Sequence, residues 1–150
     1  MKNLLVSRFL IALSLLTIAC HKTDGVIPQE PFVGAYTVAG KQELIAASGK
    51  TTAVIDVSDQ VTVSVTATAN RIKVSSVSHP ALEAILINKN SFTIPEQRFL
   101  NPSVSGYTKI YSGSGVVTGN QLLLSLDVSL YSDQLSTATR TLTHVEGTRQ

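Results

Sequence analysis

Tryptophan is absent from this chain of 150 residues, and methionine and cysteine occur once each. A single cysteine excludes an intramolecular disulfide and any metal site built from several thiolates. With only four tyrosines and four phenylalanines, the core must be filled mainly by Leu, Val and Ile, and stability must come from strand pairing and packing. Charge is scarce too: Asp, Glu, Lys and Arg make up 15% of the chain, 12 basic against 10 acidic. That balance offers no basic stripe of the kind that grips a phosphate backbone, so nucleic acid is not an expected partner. The apolar stretch Phe9–Ala19 is interrupted only by Ser14 and Thr17. At eleven residues it falls short of the roughly 20 that a membrane-spanning helix needs.

That stretch has the right length for the apolar part of an export signal, and Lys2 and Arg8 supply a basic start. It ends in Leu15-Leu16-Thr17-Ile18-Ala19-Cys20, which resembles the lipobox of a bacterial lipoprotein precursor, with Thr17 where leucine is usual. The resemblance implies that residues 1–19 are a signal peptide, that Cys20 is lipidated after cleavage, and that the mature chain is attached to a membrane through that residue. A conventional secretory signal and an uncleaved anchor are the alternatives. Loss of Lys2 and Arg8 with the leader brings 12 basic residues down to ten, level with the ten acidic ones, so the mature domain is near neutral. His21-Lys22 places no aspartate beside the cysteine, which favours the outer membrane, with the domain facing the periplasm or the surface. Residues 20–31 then comprise the lipidated cysteine and a flexible tether containing Pro28 and Pro31. Residues 32–150 suffice for a single domain.

From Phe32 onward the hydrophobic period is two. Val61, Val63 and Val65 alternate with Thr62 and Ser64; Leu122, Leu124, Leu126, Val128 and Leu130 alternate with Ser125, Asp127 and Ser129. Alternation of this kind makes strands with one face turned in, and the abundance of Thr, Val, Ser and Ile agrees. Lys41–Ala47 has some helical character, and Ala81–Leu86 has less. Ala69-Asn70, His79-Pro80, Asn88-Lys89-Asn90 and Gly119-Asn120 are expected turns, and residues 95–106, with Pro95, Pro102 and Gly106, the longest loop. The pattern predicts an all-β antiparallel meander of eight to ten strands. It closes into a barrel of about eight strands or folds as a two-sheet sandwich.

Three segments carry a family resemblance. They are Phe32-Val33-Gly34-Ala35-Tyr36-Thr37-Val38, Asn90-Ser91-Phe92-Thr93-Ile94-Pro95-Glu96-Gln97, and the stretch Tyr111–Leu122 with Gly113, Gly115 and Gly119-Asn120. In this order and spacing, over residues 32–130, the chain resembles the small Bacteroidetes lipoproteins with a lipocalin-like, or calycin-like, β-barrel domain. The resemblance implies a fold and an envelope location more than an activity. It implies that residues 39–60, longer than in many relatives, hold an extra hairpin or a short helix near the barrel mouth. Gly34-Ala35-Tyr36 is similar to the Gly-x-Trp of lipocalins, where a late arginine packs on the ring; Arg140 is then the possible counterpart, the alternative being a solvated arginine on a strand face.

Little catalytic chemistry is visible. His21, His79 and His144 lack metal-ligand spacing, so no metal or cofactor is expected. Ser112-Gly113-Ser114-Gly115 lacks the flanking glycines of a hydrolase elbow and the helix of a dinucleotide loop; it reads as a bend in a curling strand. Carboxylates are scattered, and no catalytic residue is assigned. Tyr107, Lys109 and Tyr111 share a strand face and are weak candidates for ligand binding. The expected product is a non-enzymatic, lipid-anchored envelope protein in a structural or accessory role, with an envelope protein as possible partner. The alternative is a binding module that holds a small apolar or glycan-like ligand at the barrel mouth. A hydrolase would need a cleft joining His79 or His144 to a serine and a carboxylate. The many inward Leu, Ile and Val lean toward a filled interior.

Overall fold

The structure, a computed structural model, describes residues 25–100, 106–132 and 139–150. Cys20, the expected signal peptide and His21 lie outside them. Eight strands follow one another: β1 (Gly34–Ile45), β2 (Thr51–Val65), β3 (Arg71–Ser76), β4 (Leu82–Leu86), β5 (Ser91–Leu100), β6 (Tyr107–Thr118), β7 (Gln121–Ser132) and β8 (Thr139–Arg149). Each pairs antiparallel with the next, and β8 returns to β1, closing a barrel. That closure decides between the two expected architectures, because β1 is bonded on both edges. The alternating pattern is the cause: every second residue is buried along β4 and over part of β1, β3 and β7, as with Tyr36 and Val38, Ile72 and Val74, or Leu122, Leu124 and Leu126.

An even-stranded meander brings both chain ends to one end of the barrel. The turns at Asn70, Asn88–Asn90 and Gly119-Asn120 lie at that end too. Gly119 takes φ of +59°, which a two-residue hairpin turn needs at its first position. Asn70 also has φ of +59°, a left-handed conformation that asparagine tolerates, and its Oδ1 accepts the Ile27 N–H at 2.6 Å. Ile27 packs on the core. The Gln29 side chain accepts from the Thr66 N–H at 3.0 Å and donates to the Thr68 carbonyl at 3.1 Å. Residues 27–32, expected in large part as tether, therefore plug this end of the barrel. Phe32 is fully buried and meets Phe92 edge-to-face with ring centroids 6.1 Å apart.

Several local expectations change. Lys41–Ile45 and Leu82–Leu86 are strands, not helical. The long segment 39–60 is the upper half of the β1–β2 hairpin, turned at Ala46–Gly49. Residues 95–100 belong to β5 rather than to a loop; 101–105 are outside the described residues. The bulge falls on β5, opposite Ser112 of β6. Ile94 pairs with Gly113 and Gln97 with Tyr111, so Pro95 and Glu96 oppose Ser112 alone. A bulge is where a strand tolerates the missing N–H of proline. The Gln97 amide then takes over the ladder to β4. It accepts the Glu83 N–H at 2.9 Å and donates to the Glu83 carbonyl at 2.8 Å. Gly115 is needed for another reason: a Cβ there would sit 2.1 Å from the Phe92 ring.

The arginine that packs on Tyr36 is Arg149, not Arg140. Its guanidinium lies 5.3 Å from the Tyr36 ring centroid and donates from Nη2 to the Tyr36 hydroxyl at 2.7 Å. It also donates to the Pro31 carbonyl, and the Tyr36 hydroxyl donates to the Phe32 carbonyl at 2.8 Å. Register is the reason. Tyr36 pairs with Arg149, while Arg140 pairs with Ile45 at the opposite end. Arg140 faces outward and forms a two-pronged pair with Asp127, with Nε 2.9 Å from each carboxylate oxygen.

Candidate functional site: a cavity at the open end

β3 and β4 are six and five residues long, while β1, β2, β6 and β7 run 12 to 15. β2 pairs with β3 only over Val61–Val65, so Thr51–Gln60 rises above the β3–β4 connection with one edge unpaired among the described residues. The wall is therefore low on one side, and among the described residues the end away from the termini is open. The side chains buried most completely, Phe32, Tyr36, Ile72, Leu82, Phe92 and Ile94 among them, fill the other half. The open half keeps a cavity of about 550 Å³, within the range of roughly 300–1,000 Å³ typical of small-molecule sites.

Its floor and one wall are apolar. Val38, Val61 and Val145 are buried at the base, and Leu124, Leu126, Val128 and Leu130 stack up the inner face of β7. The opposite character comes from β8, whose inward residues Thr139, Thr141 and Thr143 present hydroxyls. These small side chains explain why the interior is not filled as the leucines of β7 alone suggested. Val77, on the β3–β4 connection, stands 94% exposed beside the cavity.

Of the three strand-face candidates, Lys109 and Tyr111 line this cavity and Tyr107 does not. Tyr111 is held between Phe99, edge-on with centroids 5.5 Å apart, and the His79 ring at 6.4 Å. Burial pushes its hydroxyl pKa up, so it stays a neutral donor and acceptor. The His79 Nδ1 donates to the Pro80 carbonyl at 2.8 Å, which leaves Nε2 as the other ring nitrogen. Asp59, not assigned to a site from the sequence, completes the rim. Its Oδ2 accepts from the Ser78 hydroxyl at 2.5 Å and its Oδ1 from the Gln60 N–H at 2.7 Å. Burial pushes the Asp59 carboxyl up, but the Ser78 and Ser76 hydroxyls, the Gln60 N–H and nearby His79 together outweigh it and hold the group below its usual range. The sequence signal was the Ser-rich Ser75–Ser78 stretch, whose hydroxyls need an acceptor.

A second, shallow hollow of about 400 Å³ lies on the outer wall beside Ala39, Val116 and Leu123. There Ser125 Oγ and His144 Nδ1 are 3.0 Å apart across the β7–β8 ladder. Asp127 is bonded to Arg140, and Glu146, which lines the same hollow, makes no hydrogen bond to this imidazole among the described residues. Among the described residues, no three of His, Cys, Asp and Glu come together to hold a metal. Chemically, the open end is equipped to enclose an apolar body and to hydrogen-bond its polar end. No family model matches this chain, and neither a curated protein nor a solved structure matches it.

Proposed function

We propose that the barrel is a non-enzymatic binding module that takes a small, largely apolar ligand through its open end, and that a lipid on Cys20 holds it in the bacterial envelope, at the outer membrane. The cavity of about 550 Å³, apolar below and polar at the rim, carries this reading. The lipobox-like Leu15–Cys20 stretch supports the anchor, and the Bacteroidetes lipoprotein resemblance supports the compartment. Burying a ligand methylene stabilises the complex by about 0.8 kcal/mol, so affinity should rise about fourfold per added carbon until the cavity is full.

Val128→Phe tests the binding half. It places a ring in the cavity from a partly buried position, and it should abolish uptake of a fluorescent apolar probe while the melting temperature changes by only a few degrees. Probe uptake equal to that of the parent would sink the reading. Cys20→Ser tests the anchor: the protein should move from the membrane fraction to the soluble fraction. A second reading, an accessory role in an envelope complex, is favoured by the exposed cross-strand pair Val116 and Leu123 on the outer wall.

A further inference from the structure

Lys109 stands out among the residues of the cavity. It sits on β6 between Phe99 of β5 and Leu130 of β7, is half-buried and lines the chamber. The ion pairs among the described residues are Lys41–Asp56, Arg71–Glu83, Arg98–Glu96 and Arg140–Asp127, and none includes Lys109. It makes no hydrogen bond among them either. A half-buried ammonium with no counter-charge among the described residues is available to pair with an anion that enters the cavity. The carboxylate on the same cavity, Asp59, accepts from Ser78 and Gln60 and forms no ion pair with Lys109.

Depth fixes the orientation. β6 starts at the open end, and Lys109 lies one inward position above Tyr111, with the apolar floor of Val38, Leu124 and Val145 beneath. From these placements we propose that the ligand is a single-headed anionic amphiphile, with its tail in the apolar floor and its carboxylate on the Lys109 ammonium near the mouth. The Tyr111 hydroxyl and the Thr139 and Thr141 hydroxyls of β8, two strands along the wall, supply neutral donors to the same headgroup. This inference rests on the reading of the barrel as a binding module.

Calorimetric titration of the purified, delipidated protein with decanoate and with decanol separates the two. Decanoate should bind about tenfold tighter than decanol, the size of a charge-assisted contact near the surface. Lys109→Met should erase that difference by weakening decanoate alone, and Lys109→Arg should retain it. Equal binding of the two probes by the parent protein overturns the role of Lys109 and leaves the cavity reading standing. Binding of neither probe overturns both. If Lys109→Met fails to fold, the parent protein and Lys109→Arg still decide, because the comparison of probes needs no charge-removing variant.

Discussion

Removing the Arg149 side chain beyond its stem, as in Arg149→Leu, should loosen the closed end of the barrel by a calculable amount. Three contacts go. The cation–π contact with the Tyr36 ring at 5.3 Å is worth about 1 kcal/mol at a half-buried site. The charged hydrogen bond to the Tyr36 hydroxyl at 2.7 Å adds about 1.5 kcal/mol, and the more exposed bond to the Pro31 carbonyl adds about 0.5 kcal/mol. The Tyr36 hydroxyl is not orphaned, because it still donates to Phe32 at 2.8 Å, so no desolvation penalty follows. A loss of about 3 kcal/mol corresponds to a fall in melting temperature of about 10 °C for a domain of this size. Thermal and urea denaturation followed by far-UV circular dichroism would measure it. Tyr36→Phe keeps the ring and removes the hydroxyl, so the double variant should be less destabilised than the two singles predict, by about 1–2 kcal/mol. Strict additivity, or a loss below about 1 kcal/mol for Arg149→Leu, would refute the latch. By contrast, Arg140→Leu removes an outward pair and should cost about 1 kcal/mol or less.

Other perturbations follow from the same geometry. Gly115→Ala forces a methyl into the Phe92 ring and should cost about 1–3 kcal/mol; Phe92→Leu in the same chain should relieve much of it, and unrelieved cost would count against the contact. Gln97→Met strips both backbone partners from Glu83 and should cost about 1–3 kcal/mol, with faster hydrogen exchange at the Glu83 amide as its local sign. The Asp59 carboxyl is held below its usual range in the folded barrel, so its stabilising contribution is present above the unfolded value, near pH 4, and is lost as pH falls through the folded value. Asp59→Asn should therefore be less stable than the parent at neutral pH, with the gap closing in urea titrations below about pH 4. A gap that stays constant with pH would rule this out.

Much of the barrel was written in the alternation. Val61-Thr62-Val63 and Leu122 to Leu130 specify strands with an inner face, and the turn residues Asn70 and Gly119 mark where the chain reverses. The failures have identifiable physical causes. Lys41-Gln42-Glu43 is polar on both faces, so its strand state is imposed by pairing with both β2 and β8, a tertiary effect that local propensity does not contain. Leu82-Glu83-Ala84 has helix-forming residues, yet the burial of Leu82, Ala84 and Leu86 shows that period two prevailed. Pro95 resembled the end of a strand because the compensating Gln97 amide acts two residues later. Arg149 was legible in principle: eight antiparallel strands must bring the last residue of the eighth beside the first of the first, whereas Arg140 opens that strand. The cavity was harder. Thr139, Thr141 and Thr143 alternate as cleanly as the leucines of β7 do, and reading them as inward-facing would have signalled unfilled space. Asp59 became visible only once the β3–β4 connection had been folded against β2.

The segment that plugs the barrel also decides which way it points. Ile27, Gln29 and Phe32 fix the incoming chain across the end opposite the mouth. Six residues lie between Cys20 and Ile27, a reach of at most about 25 Å when fully drawn out. On the proposed anchor at Cys20, the barrel would stand base-down like a cup on a short cord, with its lip toward the aqueous side. On the proposed binding role, ligand would then be loaded from, and handed to, whatever diffuses past or docks from above, and the bilayer beneath would serve as mooring only.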